Sequence, residues 1–183
     1  MDRKTAFSEL KKRVKNKNLI KHMLATEAVM AALAERLGEN KESWMLAGLL
    51  HDIDYEETKN QPERHGLRGA EILEEMGLPQ EVVYAVKAHN PIHNLLRNSN
   101  LDKALYAVDP LTGLIVACAL IIPEKRLSKI DSEFVLRRFK EKGFAAGANR
   151  EQINTCSEFG LSLEEFVDIA LKAMQNIAGE LGL

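Results

Sequence analysis

A histidine and an aspartate stand side by side at positions 51 and 52, directly behind the apolar run that ends a predicted helix. Neutral imidazoles and carboxylates are good ligands for first-row divalent metals. At an ordinary helix end the same two residues would only cap the helix and contact solvent. On a helix their side chains project about 100° apart, so that both can reach one ion. The doublet therefore leaves two alternatives, a surface cap and a metal site.

Three further residues of the same chemical types share helix faces with apolar residues, namely His22, His89 and Asp109. Asp109, for example, lies four residues after Leu105 and four before Gly113. A single inward histidine is usually a hydrogen-bonded core residue, but an inward aspartate loses much solvation energy unless a cation compensates it. The apolar helix around Asp109 offers no cation. The pattern therefore favours a metal site, and its mixed nitrogen and oxygen donors favour Mn, Fe, Co, Ni or Zn over calcium.

The elements that must position these residues are all predicted to be α-helices, because apolar residues recur at spacings of three and four and no strand alternation is present. The predicted fold class is therefore all-α, a single helical bundle. The stretch YEETKNQPE at 55–63 is predicted to be a polar loop, and Pro110 predicts a kink or break in the helix that carries Asp109. The predicted helices cover about residues 4–15, 19–37, 41–52, 64–76, 79–90, 101–122, 131–142, 149–159 and 163–181.

The composition is that of a globular protein, with 183 residues, 45% of them hydrophobic, and a net charge of −2. This length predicts one domain over 1–183, and the charge gives no reason to expect a nucleic-acid polymer or a membrane as partner. The most apolar stretch, GLIVACALII, is far shorter than the roughly 20 residues that cross a bilayer, so we expect a buried helix. Cys118 and Cys156 have neither disulfide-scaffold nor zinc-site spacing, and with no signal peptide they favour the cytoplasm.

The order of these residues resembles the H…HD…D motif of the HD superfamily of metal-dependent phosphohydrolases, a helical fold. The stretch RHGLRGAEILEEMGLPQEVVYAVKAHN is similar to the HDIG-type branch of that family, in which two more histidines follow the doublet. The resemblance covers about residues 20–120 as an HD-like metal-binding core, and the helices at about 131–181 are expected to pack against it. The matching residues are His22, His51, Asp52, His65, His89 and Asp109.

The resemblance implies one metal ion held by four residues and a second ion that shares one of them. The first set is His22, His51, Asp52 and Asp109, and the second set is Asp52, His65 and His89. Two such ions can activate a bridging water and polarise a phosphoryl oxygen, so the implied catalytic residues are Asp52, His65 and His89. With a single ion, the last two residues would instead contact substrate or transfer protons.

The function predicted on this basis is a metal-dependent phosphohydrolase, either a phosphatase or a phosphodiesterase, acting on a small-molecule phosphate ester or a nucleotide. A regulatory HD module that binds a metal and a nucleotide without turnover is the first alternative, although a complete ligand set favours an enzyme. A helical interaction protein with purely structural histidines is the second, and the inward Asp109 disfavours it.

The sequence departs from the HDIG motif at Asp54, which stands where that motif has glycine, and the GYP motif of the branch that degrades cyclic dinucleotides is missing. We expect Asp54 to be a solvated acid at the helix end. The alternative is that it orients His51.

Phosphate chemistry also calls for cations near the site. Arg64, Arg68 and Lys103 are the candidates for phosphate contacts, and at each of them a solvated surface charge is the alternative. His93 follows Pro91 in a predicted loop and is expected at the surface.

Overall fold

The computed structural model describes residues 1–183 and contains α-helices, short 3₁₀ segments and turns, with no strands. The predicted all-α class is confirmed. The 3₁₀ segments are Pro91–His93, Leu127–Lys129 and Thr155–Phe159. The α-helices, in chain order, are α1 (Arg3–Arg13), α2 (Lys17–Leu37), α3 (Lys41–Leu50), α4 (Tyr55–Thr58), α5 (Leu67–Glu75), α6 (Gln80–Ala88), α7 (Asn100–Ile121), α8 (Ser132–Lys140), α9 (Arg150–Asn154), α10 (Leu163–Asn176) and α11 (Ala178–Leu181).

Helix α9 and helix α10 each end five residues before their predicted ends, but the differences that bear on the site fall around the His-Asp doublet. Helix α3 ends at Leu50, two residues before its predicted end, and residues 51–54 form turns. The predicted polar loop at 55–63 contains the one-turn helix α4. Helix α5 begins at Leu67 rather than at residue 64, so His65 lies in the turn before it. The doublet therefore sits on a turn, where the side-chain directions of an ideal helix do not apply.

Close packing of α2 against α3 brings the doublet to His22. A Cβ atom at Gly48 would lie 2.8 Å from the Cα of Glu27, which is closer than side chains pack in proteins, so only glycine permits this approach. The buried carboxylate of Glu27 pairs with Arg3, whose Nη2 donates to Oε2 at 2.8 Å. That pairing offsets the cost of burying the charge where the two helices cross.

Helix α7 continues through Pro110, so the predicted break is absent. Proline has no N–H to donate to the carbonyl four residues earlier, which here belongs to Tyr106. The side chain of Gln152, on α9, donates to that carbonyl at 2.7 Å. A neighbouring helix thus supplies the hydrogen bond that the proline removes, and α7 carries Asp109 without interruption.

The core draws buried residues from α1, at Ala6, through to α11, at Leu181, in one continuous cluster. Helix α7 is long and apolar enough to cross a membrane by those two criteria, but 56% of its apolar window is buried inside the protein. It packs against α2, α6 and α9, as a core helix does, and its half-exposed large apolar side chains, Leu120 and Ile121, lie in its last turn. The predicted buried apolar helix is thereby confirmed over most of its length.

Candidate metal centre

Six histidine and aspartate side chains converge where α2, α7, the turn before α5 and the carboxyl ends of α3 and α6 meet. The three most deeply buried are His51, Asp52 and His89. The structure thus brings together every residue that the sequence analysis assigned to a metal. The six residues are His22, His51, Asp52, His65, His89 and Asp109.

The first cluster joins α2, α3 and α7. The Nε2 atom of His22 lies 3.1 Å from Nε2 of His51 and 3.0 Å from Oδ1 of Asp109. Oδ2 of Asp52 lies 3.6 Å from the His51 Nε2 and 3.8 Å from the His22 Nε2. Two imidazole nitrogens and two carboxylate oxygens therefore surround one point.

The second cluster uses the other oxygen of Asp52. Its Oδ1 lies 3.2 Å from Nε2 of His65 and 3.6 Å from Nε2 of His89. The two Nε2 atoms are 3.1 Å apart. Asp52 therefore turns one carboxylate oxygen toward each cluster, which is the geometry that a ligand shared by two ions requires. That these residues bind metal stays a prediction.

Backbone carbonyls determine which ring nitrogen of two histidines carries the proton. Nδ1 of His51 donates to the carbonyl of Gly48 at 2.8 Å, and Nδ1 of His89 donates to the carbonyl of Val86 at 2.6 Å. A carbonyl can only accept, so Nδ1 must hold the proton in the neutral imidazole. The lone pair of Nε2 then points into the cluster.

The other two histidines are oriented by side chains. Thr112 donates its single hydroxyl proton to the carbonyl of Asp109 at 2.9 Å, and therefore accepts from Nδ1 of His22 at 3.1 Å. Nδ1 of His65 donates to Oδ1 of Asp54 at 3.1 Å. In their neutral forms, these two histidines also turn an unprotonated Nε2 inward.

This arrangement fits divalent metal ions. When all four imidazoles are neutral, two unprotonated nitrogens in each cluster face one another at 3.1 Å beside carboxylate oxygens, so that acceptors meet acceptors with no donor between them. The ligand atoms of His22, His51 and Asp52 lie within 4.8 Å of one another, and so do those of Asp52, His65 and His89. A cation in each cluster satisfies these lone pairs, and imidazole with carboxylate is the donor set of Zn, Fe, Mn, Co and Ni sites.

The proximity of imidazoles and carboxylates in the clusters shifts the pKa values of His65 and Asp52. Burial opposes the charged form of His65, but hydrogen bonds with Asp52 and Asp54 outweigh it and raise the pKa of the imidazole to about 10. Burial would raise the pKa of Asp52, yet the neighbouring His51 and His65 hold that pKa well below its usual range. Asp52 is therefore a carboxylate at neutral pH, and His65 must release its proton to bind a metal.

Asp54 is buried, so the expectation of a solvated acid is wrong. Its carboxylate is 1% exposed, contacts Nδ1 of His65 through Oδ1, and accepts from the backbone N–H of Gly66 through Oδ2 at 2.9 Å. It does orient a histidine, but the histidine is His65 and not His51. Gly66 has φ +84°, a left-handed conformation that favours glycine, and this lets the turn present both donors to Asp54.

A pocket of about 720 Å³ opens beside both clusters. Three of its lining residues belong to α4 or directly follow it, namely Tyr55, Glu56 and Lys59. The sequence analysis did not identify them because it predicts a polar loop at 55–63. The spacing of four between Tyr55 and Lys59 is the signal that would have placed both on one helical face. The Tyr55 ring meets the His65 ring edge to face, with centroids 5.3 Å apart. The lining residues are Asn16, Leu19, His22, Asp52, Tyr55, Glu56, Lys59, His65 and Asp109.

None of the three candidate phosphate-binding cations lines this pocket. Arg68 is held by three surface glutamates at 3.0 to 3.6 Å, and the exposed Arg64 donates to Gln61 at 3.0 Å. Lys103 lies in the first turns of α7, outside the lining residues. The cation that does line the pocket is Lys59.

His93 is half-buried and hydrogen-bonded rather than a free surface residue. Its Nε2 donates to the backbone carbonyl of His65 at 2.7 Å, and Asn90 donates to the same carbonyl at 3.0 Å. Both residues therefore support the turn that carries His65, and neither joins the clusters.

Comparison with known proteins assigns the chain to a family. The family model of the HD domain matches residues 19–118, more than half of the chain, and the chain belongs to the HD domain family. The match contains all six cluster residues.

Curated relatives are similar over part of their length. Ribonuclease Y of Desulfotalea psychrophila is 27% identical over 137 residues, which are 73% of this chain and 26% of that protein. Ribonuclease Y of Nitratidesulfovibrio vulgaris strain DP4 is 31% identical over 151 residues, 81% of this chain and 27% of that protein. The chain thus spans about a quarter of the length of these relatives. No solved structure matches it significantly.

Proposed function

We propose that this chain is a metal-dependent phosphohydrolase that cleaves a phosphate ester of a nucleotide. The observation that carries the proposal is the sharing of Asp52 between two histidine pairs, with one carboxylate oxygen facing each. When bound, two divalent ions in these clusters would activate a water and neutralise charge on the phosphoryl oxygens. The donor set favours Mn, Fe, Co, Ni or Zn.

The chain's own residues would hold the ester for this reaction. Hydrolysis adds a water oxygen to phosphorus, breaks one ester P–O bond, and transfers the water proton to the departing oxygen, directly or through a base. Lys59 lines the pocket and brings a positive charge suited to a phosphate oxygen. With a single ion in the first cluster, the His65 imidazole at the pocket wall would hold no metal and would be suited to take up and return that proton.

RNA is a second candidate substrate. Both relatives above are named as ribonucleases, and a ribonuclease cleaves the phosphodiester bonds of RNA. The expectation that no nucleic-acid polymer is a partner fits poorly with those names.

The regulatory alternative is a module that binds a nucleotide without turnover. Such a module would take up metal and nucleotide but release no product. Incubation of the Mn²⁺-loaded protein with mononucleotides, dinucleotides and an oligoribonucleotide, followed by measurement of the products, distinguishes a nucleotide phosphohydrolase, a ribonuclease and a regulatory module.

The substitution Asp52→Ala tests the proposal most directly. We expect hydrolysis of any ester found in that screen to fall by about a thousandfold or more, because the variant loses the ligand shared by both clusters. Metal content, measured by elemental analysis, should fall with it. The matched control is Glu57→Ala, an exposed acid that pairs with Arg68 away from the pocket. Activity or metal content of Asp52→Ala close to that of the control would contradict the proposal.

A further inference from the structure

A second recess borders the first metal cluster. Its cavity volume is about 380 Å³, and it shares only His22 and Asp109 with the pocket that contains Lys59. The two cavities therefore adjoin the first cluster at the same two residues and are otherwise lined by different parts of the chain. A phosphate held at His22 and Asp109 would border both cavities.

The other residues that line the recess are all small. They come from α7, where Pro110 and Gly113 follow Asp109, and from the segment 145–148, whose sequence is Ala-Ala-Gly-Ala. A Cβ atom at Gly113 or at Gly147 would meet no atom within 4 Å. Glycine inside a helix costs up to about 1 kcal/mol relative to alanine. Packing does not require glycine at position 113, and the lack of a side chain there leaves the recess open.

The wall formed by residues 145–148 is held in place by Arg150, at the start of α9. Its guanidinium donates to Ala145 at 2.7 Å and to Ala148 at 2.6 Å. Five carbonyl groups in all accept from this one side chain, so the wall is fixed by contacts outside the metal clusters. The five belong to Phe139, Glu141, Phe144, Ala145 and Ala148.

We infer that this recess is a subsite for the second organic substituent of a phosphodiester, whose first substituent lies in the pocket with Lys59. A monoester carries one substituent and needs one cavity, whereas a diester carries two on the same phosphorus. The volume of the recess lies within the range of small-molecule sites, roughly 300 to 1,000 Å³, and its small apolar lining suits a flat group such as a nucleoside base. The inference rests on the proposed function and extends it to diesters.

Filling the recess tests the inference. Gly147→Leu and Gly113→Leu each place a side chain in the cavity from a different element, and Gly143→Leu is the matched control. Gly143 belongs to the same segment and also has open space around its Cβ position, but it does not line the recess. The Mn²⁺-loaded proteins are assayed with bis(p-nitrophenyl) phosphate, a diester, and with p-nitrophenyl phosphate, a monoester. Circular dichroism and metal content confirm that each variant is folded and loaded.

We expect both recess variants to lower kcat/KM for the diester about tenfold or more, chiefly through KM, because a few methylene groups are worth that much in a filled pocket. The monoester and the control variant should be unchanged. Equal losses on both esters, no loss on the diester, or wild-type hydrolysis of monoesters alone would overturn the subsite and leave the phosphohydrolase intact. Failure of the wild-type protein to hydrolyse any ester would overturn the proposed function itself, and the subsite with it.

Discussion

At the scale of single residues, the two aspartates of the segment 51–54, Asp52 and Asp54, have different roles. Asp52 directs its two oxygens to two different histidine pairs. Asp54 stays behind the site, where it holds the Nδ1 of His65 and the backbone N–H of Gly66. Its carboxylate fixes the ring of His65 and makes that imidazole a stronger ligand, as acids behind metal-binding histidines commonly do.

Replacing Asp54 by alanine should therefore weaken the second cluster without destroying the first. We expect a loss of roughly 10- to 100-fold in activity or in affinity for the second ion, with the first ion retained. Titration of the metal-free protein with Mn²⁺, followed by calorimetry, measures both affinities. The conservative Asp54→Asn, whose amide oxygen still accepts one hydrogen bond, should recover part of the loss. A variant as inactive as Asp52→Ala would show that Asp54 itself binds a metal.

At the scale of elements, helix ends supply the site. His51 and His89 directly follow the last residues of α3 and α6, and each donates from Nδ1 to the carbonyl three positions earlier. The last carbonyls of a helix have no partner within the helix, so they are available for such bonds. The same local geometry therefore orients a metal-facing Nε2 at the end of two different helices.

Helix α7 shows the opposite case. Pro110 leaves the carbonyl of Tyr106 without a donor inside the helix, and the side chain of Gln152, on α9, donates to it. We expect Gln152→Ala to lower the free energy of unfolding by about 1 to 3 kcal/mol, because the part-buried carbonyl of Tyr106 loses the donor that the buried Gln152 supplies. Urea unfolding followed by circular dichroism measures the change. Glu151→Ala, an exposed neighbour on the same helix, is the control. Equal stability of the two variants would mean that the Tyr106 carbonyl finds another donor.

At the scale of the whole molecule, the site gathers groups from elements that are far apart in the chain. His22 and Asp109 are separated by 87 positions and meet at 3.0 Å. Since the acceptors of both clusters converge only in the folded chain, metal binding and folding are coupled. In the metal-free protein the carboxylates of Asp52 and Asp109 repel one another, and bound ions would neutralise that charge.

A first-row divalent ion should accordingly stabilise the fold. At 100 times its dissociation constant, one ion adds about 2.7 kcal/mol, which corresponds to a rise in Tm of roughly 5 to 11 °C for a chain of this size. Thermal unfolding of EDTA-treated protein, with and without added Mn²⁺ or Zn²⁺, measures the shift. The variant His22→Ala should show a smaller one, and Ca²⁺ should produce little change because it prefers oxygen ligands alone. No shift with any first-row ion would contradict the metal site.

The sequence by itself determined the all-α class, the approximate helices and the six residues that cluster. Helical periodicity is a local property, and a carboxylate on an apolar helix face needs compensation in any fold, so both are readable without coordinates. The order of histidines and aspartates then supplied the family resemblance, which the match over residues 19–118 confirmed.

Only the tertiary structure decided which groups support those six residues. Asp54 turns to His65 because α3 ends before the doublet, and Lys59 lines the pocket because residues 55–58 form a helical turn. The expected phosphate-binding Arg68 is instead held by glutamates. Each of these outcomes depends on where a helix stops and on which distant side chain lies across the gap. Such contacts are set by the packing of the whole chain, because a difference of one or two residues in a helix end redirects every side chain that follows.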